Sequence, residues 1–209
     1  MMENTPTIKG LYAVTPDEAD TKRLLRQIEL LNQGGCHLLQ YRNKSLPFLD
    51  QMEQAEQVKR LCDELKITLI INDNVDICCN LDADGVHLGE NDDKIETARE
   101  KIGPKKYIGL SCYNSLERVN LAIKKKVDYI ALGSFFETKT KPNAPRVTLE
   151  TLRQVKKICS LPVVAIGGIT LDNVSCLVKE QVDAVAIVNG LFKADDIALS
   201  AKNFIKLFS

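Results

Sequence analysis

Eight short, mostly apolar runs alternate with longer amphipathic stretches along the whole chain. Several runs are apolar throughout, for example residues 68–71 and 163–166. A continuous apolar run indicates burial on both faces, which is typical of parallel strands covered by helices. The predicted strands are residues 10–14, 37–42, 68–72, 85–88, 107–111, 129–133, 162–167 and 184–188.

The stretches between these runs carry apolar residues at helical spacing. We predict helices within residues 20–34, 47–65, 114–126, 149–158, 172–179 and 195–208, and a weaker one after residue 88. Eight strands, each followed by a helix, predict an α/β fold, a single-domain (β/α)8 TIM barrel over residues 1–209. The competing fold is an open doubly wound sheet, which normally has a glycine-rich turn after its first strand, and Thr15-Pro16-Asp17 is not one.

The composition restricts the function classes. Lys+Arg and Asp+Glu both number 28, and this zero net charge disfavours a nucleic-acid binder. The chain has no apolar run long enough for a membrane span, and its first ten residues lack the apolar stretch of a signal peptide. We therefore expect a cytoplasmic protein with neither membrane nor nucleic-acid partners. Seven cysteines without a CxxC pair indicate buried, reduced thiols. The oligomeric state stays open, a homo-oligomer included.

Polar residues follow the second predicted strand, where the sequence reads Gln-Tyr-Arg-Asn-Lys over residues 40–44. In a barrel, positions just past the C-terminal strand ends form the active site. Alternation places Gln40, Arg42 and Lys44 on one side of an extended segment. An amide and two cations on one face suit a pyrophosphate and a polar ring substituent, whereas the alternative is a solvated loop.

Carboxylates follow the third and fourth predicted strands. Asn72-Asp73 ends one strand, and Asp92 lies in the acidic segment after the next. Two carboxylates from adjacent strands, completed by phosphate oxygens and water, are a usual Mg²⁺ site. Helix N-capping is the alternative for each aspartate, and Asp93 fits it better than Asp92. We predict a Mg²⁺ site formed by Asp73 and Asp92.

A second anion-binding region is predicted from the later strand ends. Ser111 offers a hydroxyl at the end of the fifth strand, and residues 133–141 form a loop rich in hydroxyl and ammonium groups. Gly167-Gly168 and residues 188–190 end the last two strands, where barrels frequently bind phosphate through backbone amides. The pair Asp73 and Asp92 belongs to the anion-binding region near residues 40–44, and the second region has no such pair. We therefore predict a transferase or lyase that acts on one diphosphate and one monophosphate, both small molecules.

The two histidines and the aromatic residues give weaker signals. Neither His37 nor His87 has another histidine or a cysteine at metal-ligand spacing. We expect a structural role for His37 and leave His87 open between packing and a position inside the barrel. Tyr12 is expected to pack in the core.

Five motifs in this order resemble the thiamine-phosphate synthase family, and the resemblance covers almost the whole chain. They are Gln40-x-Arg42-x-Lys44, Ile71-Asn72-Asp73, Asp84-Gly85-Val86-His87-Leu88-Gly89-x-x-Asp92, Thr138-x-Thr140-Lys141 and Ala165-Ile166-Gly167-Gly168-Ile169. The resemblance implies a (β/α)8 barrel that joins 4-amino-2-methyl-5-hydroxymethylpyrimidine diphosphate to a thiazole phosphate. The products would be thiamine monophosphate and diphosphate.

The resemblance also implies roles for individual residues. The pyrimidine diphosphate would be bound by Gln40, Tyr41, Arg42, Asn43, Lys44, Asn72, Ser111 and Lys141. The thiazole phosphate would be bound by Thr138, Lys139, Thr140, Gly167, Val188 and Asn189, and Mg²⁺ by Asp73 and Asp92. Diphosphate would leave first, with Arg42, Lys44, Ser111 and Lys141 as the catalytic residues. The family usually has Ser where this chain has Asn189.

Three rivals remain. A thiazole tautomerase on the same fold needs neither diphosphate nor metal, so the Gln40-x-Arg42-x-Lys44 set, Asn72-Asp73 and Asp92 speak against it. A non-catalytic sensor of phosphorylated ligands would keep the same pocket. Another barrel phosphate isomerase would need an acid–base pair, which the sequence does not offer in a persuasive form.

Overall fold

The computed structural model describes residues 8–90, 94–138 and 146–208 and contains a closed barrel of eight parallel strands. Each strand pairs with the next along the chain, and β8 pairs with β1. The strands are β1 (Gly10–Val14), β2 (Leu38–Tyr41), β3 (Thr68–Asn72), β4 (Gly85–Leu88), β5 (Tyr107–Tyr113), β6 (Tyr129–Leu132), β7 (Val163–Ile166) and β8 (Ala184–Ile187). The predicted barrel is confirmed, with every strand end within two residues of its predicted position.

Helices follow the strands and cover the outside of the barrel. They are α1 (Thr21–Gln33), α2 (Phe48–Leu65), α3 (Val75–Asn80), α4 (Ile95–Ile102), α5 (Leu116–Lys125), α6 (Leu149–Ile158), α7 (Ser175–Lys179), α8 (Asn189–Phe192) and α9 (Ile197–Lys206). Helices α3 and α8 were not predicted, because six and four residues are too few for a periodic apolar pattern. Across the described ranges, none of the helices has the length and apolar character needed to cross a membrane.

The strands bury both faces, which explains their continuous apolar runs. Outward-facing side chains such as Leu39 and Ile71 pack against the helices, in the larger of two buried clusters. Inward-facing side chains such as Tyr12, Ile70 and Tyr129 form a smaller cluster inside the barrel. All seven cysteines are free thiols, and five of them are buried.

Three aspartates make the same pair of hydrogen bonds at the N-terminal ends of β4, β6 and β8. Each stands directly before its strand, donates its backbone N–H to a carbonyl of the preceding strand, and accepts the N–H of that same residue on Oδ2. The pairs are Asp84 with Leu69, Asp128 with Ile108 and Asp183 with Val163, with N to Oδ2 distances of 2.8, 2.7 and 2.8 Å. These three pairs, the aspartate clasps, satisfy strand-end donors on the face opposite the C-terminal strand ends.

Asp128→Ala is expected to lower the free energy of unfolding by about 2–3 kcal/mol. The substitution leaves two donors without their acceptor, since Asp128 Oδ2 accepts from the Ile108 N–H and from Arg99 Nη2 at 2.6 Å. Urea unfolding measures the change. The matched control is Asp63→Ala, which removes only an exposed ion pair with Lys59 and is expected to cost less than about 1 kcal/mol. Equal losses in the two variants would contradict a stabilising clasp.

Candidate active site

The inward face of β5 carries a glycine between two rings. In the strand register, Gly109 lies beside His87 of β4 on one side and Tyr129 of β6 on the other. A Cβ on Gly109 would lie 2.1 Å from Tyr129 Cζ and 2.5 Å from His87 Nδ1. Because this side chain is missing, the two rings meet across β5, with centroids 5.4 Å apart and Tyr129 Oη 3.0 Å from His87 Nδ1. The structure thus places His87 inside the barrel.

A run of hydrogen-bonded side chains, the interior chain, crosses the barrel from Gln40 through Tyr12, Tyr129 and His87 to Ser111. Gln40 Nε2 donates to the Tyr12 hydroxyl at 2.9 Å, and the Tyr12 and Tyr129 hydroxyl oxygens are 2.9 Å apart. His87 Nε2 lies 2.9 Å from Ser111 Oγ. Burial raises the pKa of the Tyr12 and Tyr129 hydroxyls well above the ordinary value, so both keep their protons at neutral pH. The interior chain therefore connects two predicted substrate-binding residues, Gln40 and Ser111.

Sequence reasoning missed the part that Tyr12 and Tyr129 play in the interior chain. Tyr12 is buried as expected, but its hydroxyl bonds on both sides and does more than fill the core. The usable signal was Gly109 in the middle of an apolar strand, because an interior glycine often marks a close approach of neighbouring groups.

A cation and a carboxylate meet at the ends of β2 and β3. Lys44 Nζ lies 2.8 Å from Asp73 Oδ2, and the two side chains are 57% and 27% exposed. The Asp73 backbone has a positive φ of 61° and donates its N–H to the His87 carbonyl at 2.8 Å, which anchors it to β4. Asn72, just before it, is half-buried at the end of β3 beside His87. A predicted anion-binding residue and a predicted metal ligand are thus in direct contact.

The loop after β1 holds the segment that carries the predicted cations. Arg42 Nη1 lies 2.8 Å from Asp17 Oδ1, and the same carboxylate oxygen accepts the Lys44 N–H at 2.7 Å. The buried Thr15 hydroxyl donates to the Arg42 carbonyl at 2.7 Å and accepts the Arg42 N–H at 2.8 Å. Thus Gln40 faces the barrel interior, whereas Arg42 is paired with Asp17. Thr15 and Asp17 had no predicted role, since their contacts link positions far apart in the chain.

The Tyr41 and Asn43 side chains are hydrogen-bonded to the segments that surround the end of β2. The Tyr41 side chain faces the helices, and its hydroxyl donates to Gln54 Oε1 at 3.0 Å. Asn43 is 2% exposed, and its Nδ2 donates to the Glu18 carbonyl at 2.8 Å and to Gln54 Oε1 at 3.0 Å. Both side chains support the turn after β2. Strand alternation turns the Tyr41 side chain outward and the turn encloses Asn43, so the structure gives both side chains a supporting role, and their contact with substrate stays a prediction.

The loops after β6 and β7 pack tightly on each other. Phe136 donates its N–H to the Gly167 carbonyl at 2.9 Å. Gly167 and Gly168 both have positive φ, and a Cβ on Gly168 would lie 2.2 Å from the Glu137 carbonyl oxygen. The two glycines therefore permit close contact between the loops. The binding of phosphate by their amides stays a prediction.

The remaining predicted residues of the thiazole-phosphate region lie in the loop after β6, just after β8, or outside the described ranges. Thr138 and Val188 are half-buried, and Asn189 is exposed at the first residue of α8. Lys139, Thr140, Lys141 and the predicted metal ligand Asp92 lie outside the described residues.

Arg118, at the start of α5, connects β5 with the loop after β4. Its Nε donates to the Ser111 carbonyl at 2.8 Å and its Nη2 to the Gly89 carbonyl at 3.1 Å. The guanidinium also lies over the Tyr113 ring, 5.5 Å from the centroid. Arg118 was missed because a single arginine in an amphipathic helix is not distinguishable from a solvated residue.

The fold and this cluster define a (β/α)8 barrel with cations, a carboxylate and hydroxyls at its C-terminal face. A family model described as thiamine monophosphate synthase matches residues 11–191. The chain is 45% identical over 204 residues to the thiamine-phosphate synthase of Methylobacillus flagellatus, covering 98% of this chain and 97% of that protein. It is 41% identical to the enzyme of the same name from Nitrosomonas eutropha, covering 96% of this chain and 95% of that protein.

Comparison with solved structures agrees with the sequence relatives. A thiamine phosphate pyrophosphorylase from Pyrococcus furiosus superposes with a TM-score of 0.85 and 34% identity, and the match covers 96% of each chain. The 3-hexulose-6-phosphate synthase from Salmonella typhimurium reaches a TM-score of 0.73 at 15% identity, over 95% of this chain and 98% of that one, and shares the fold alone. The class of protein is a barrel transferase of thiamine biosynthesis. The chain belongs to the thiamine monophosphate synthase family, as its motifs suggested.

Proposed function

We propose that the chain joins 4-amino-2-methyl-5-hydroxymethylpyrimidine diphosphate to a thiazole phosphate, forming thiamine monophosphate and diphosphate with the help of Mg²⁺. The observation that carries the proposal is the contact between Lys44 and Asp73 at neighbouring strand ends. It unites a cation suited to the diphosphate with a carboxylate suited to the metal.

The residues present fit a Mg²⁺ ion. The Asp73 carboxylate already accepts a cation, the Lys44 ammonium, at 2.8 Å. Mg²⁺ prefers oxygen ligands and is often held by one or two carboxylates together with substrate phosphates. Within the described ranges, no three histidine, cysteine, aspartate or glutamate residues converge as a metal site, which is compatible with a site completed by substrate. Asp73 and Asp92 would hold the ion, which when bound supplies neutralisation of the diphosphate charge.

The proposed reaction needs positioning and electrostatics rather than a strong base. The bond between the methylene carbon and the diphosphate oxygen breaks, and its electron pair leaves with the diphosphate. Arg42 and Lys44 neutralise the charge of the leaving group, and the Ser111 hydroxyl donates to one of its oxygens. The aminopyrimidine ring stabilises the methylene cation, and the lone pair of the thiazole nitrogen forms the new carbon–nitrogen bond. Gln40, held by Tyr12, orients the pyrimidine ring.

Incubation with both substrates and Mg²⁺ tests the proposal. We expect equimolar thiamine phosphate and diphosphate, neither of them formed when one substrate is omitted. EDTA should reduce the rate by ~10²-fold or more, since the metal contributes several kcal/mol to transition-state stabilisation.

Each alternative outcome has a meaning of its own. Product formation unaffected by EDTA contradicts the role of the metal. Isomerisation of a thiazole substrate alone, without metal, would indicate the tautomerase activity instead. Binding of both ligands without any turnover would indicate a sensor.

A further inference from the structure

The direction of the interior chain follows from Gln40, whose Nε2 donates to Tyr12 Oη. A tyrosine hydroxyl has one hydrogen to donate. Tyr12 Oη accepts the Gln40 Nε2–H, and Tyr129 Oη, 2.9 Å away, is its other hydrogen-bond partner among the described residues, so the hydrogen of Tyr12 is assigned to Tyr129 Oη. The hydrogen of Tyr129 then goes to His87 Nδ1 at 3.0 Å. Every step uses a protonated hydroxyl, in agreement with the raised pKa values of the two phenols.

The consequence appears at the other end of the interior chain. A His87 ring that accepts at Nδ1 is neutral and carries its proton on Nε2, which lies 2.9 Å from Ser111 Oγ. Ser111 therefore accepts from His87, and its own hydrogen is directed to another acceptor. With the opposite direction of donation, Ser111 would donate to His87 and its hydrogen would be used inside the barrel.

We propose that Tyr129 and Tyr12 are positioning residues, which hold His87 in its Nε2–H tautomer and so present the Ser111 hydroxyl as a hydrogen-bond donor to the anion bound at the barrel mouth. The identity of that anion, a diphosphate, rests on the proposed function. The tautomer of His87 and the direction of the interior chain are independent of the proposed function.

The geometry of the surrounding strands favours a dedicated arrangement. Gly109 leaves the space in which Tyr129 and His87 meet, and a Cβ there would occupy the hydrogen bond itself. Tyr12 and Tyr129 are about 1% and 0% exposed, so water does not compete for their hydroxyls. If Tyr12 and Tyr129 only filled space, phenylalanine would pack equally well at both positions. Phenylalanine cannot form these hydrogen bonds, so the hydroxyls have a role beyond packing.

Nitrogen NMR of ligand-free protein labelled with ¹⁵N-histidine tests the tautomer. The protein has only two histidines, His37 and His87, and His37→Gln assigns the spectrum. At about pH 8, where imidazole side chains are ordinarily neutral, we expect His87 to carry its proton on Nε2. Tyr129→Phe should give a mixture of tautomers. Tyr107→Phe is the matched control, because Tyr107 packs against the same interior cluster and is not a member of the interior chain, and it should leave the spectrum unchanged.

A double-mutant cycle tests the link to Ser111. Tyr129→Phe should lower kcat about tenfold with less than about a twofold change in KM, and tenfold corresponds to about 1.4 kcal/mol, typical of one hydrogen bond. In a Ser111→Ala background the same substitution should have no further effect. Tyr12→Phe, which interrupts the interior chain one bond further away, should show the same dependence on Ser111 and provides a second measurement if Tyr129→Phe does not fold.

Two results would overturn the proposal: an Nδ1–H tautomer in the parent protein, or kinetic losses from Tyr129→Phe and Ser111→Ala that simply multiply. The NMR result requires no turnover. A parent protein without synthase activity but with the Nε2–H tautomer, lost in Tyr129→Phe, would therefore refute the proposed function and still support the interior chain.

Discussion

Asp73→Ala is expected to lower magnesium-dependent turnover by at least about 10²-fold while the protein stays folded. The substitution removes the described carboxylate of the proposed metal site and also the partner of Lys44. Without it, Mg²⁺ affinity should fall, and the leaving diphosphate should lose both its metal and a fixed cation. Turnover measured across a Mg²⁺ titration, with calorimetric Mg²⁺ binding in the presence of diphosphate, records the two effects separately.

Asp76→Ala is the control for Asp73→Ala. Asp76 lies three residues further along the chain and forms a surface ion pair with Lys101 at 2.7 Å. Its removal deletes one carboxylate from the same region without touching the strand end, so turnover and Mg²⁺ binding should stay unchanged. Parent-like magnesium dependence in Asp73→Ala would rule out the ligand assignment.

Gly109→Ala is the second substitution with a large expected effect. Its new Cβ would lie 2.1 Å from Cζ of a fully buried tyrosine ring and 2.5 Å from His87 Nδ1. Overpacking of a barrel interior typically costs about 1–3 kcal/mol, and the broken hydrogen bond adds about 1 kcal/mol. We expect the free energy of unfolding to fall by about 3 kcal/mol and turnover to fall at least tenfold.

Gly103→Ala separates the interior contact from the general cost of replacing a glycine. Gly103 has a φ of +82°, and a Cβ added to it would meet no other atom of the described residues within 4 Å. Its replacement therefore strains only the backbone, by about 1–3 kcal/mol, because a φ of +82° with a ψ of 177° is adopted essentially by glycine alone. Thermal unfolding and kcat of the two variants are compared. If Gly109→Ala retains parent turnover, the close meeting of Tyr129 and His87 is not required for catalysis.

The fold was predictable because burial on both faces gives parallel strands a strong local signal. The runs at residues 68–72 and 85–88 agree with β3 and β4 at both ends. Boundaries failed where tertiary contacts decide them, as in β5, which extends to Tyr113 through an irregular pairing with β6. Helix α7 begins at Ser175, later than predicted, after a turn in which Asn173 accepts the Thr170 N–H.

The candidate site was predictable only in part, because strand ends are visible in a sequence and contacts between strands are not. Gln40, Lys44, Asp73 and Ser111 follow apolar runs, and so they could be named as mouth residues. Their partners come from elsewhere: Asp17 reaches Arg42 from 25 positions away, and Tyr129 reaches Tyr12 from 117. Such contacts form only when the barrel closes, and a local sequence pattern does not predict which distant residues then meet.

The aspartate clasps divide most of the barrel into three matched strand pairs, β3–β4, β5–β6 and β7–β8. Each pair contributes one equivalent amide proton held by a carboxylate, on Leu69, Ile108 and Val163. Deuterium uptake at these three amides therefore reports separately on the opening of each pair. Equal uptake would mean that the barrel opens as one cooperative unit. Unequal uptake would identify the strand pair that opens first, which is the least stable pair of the barrel.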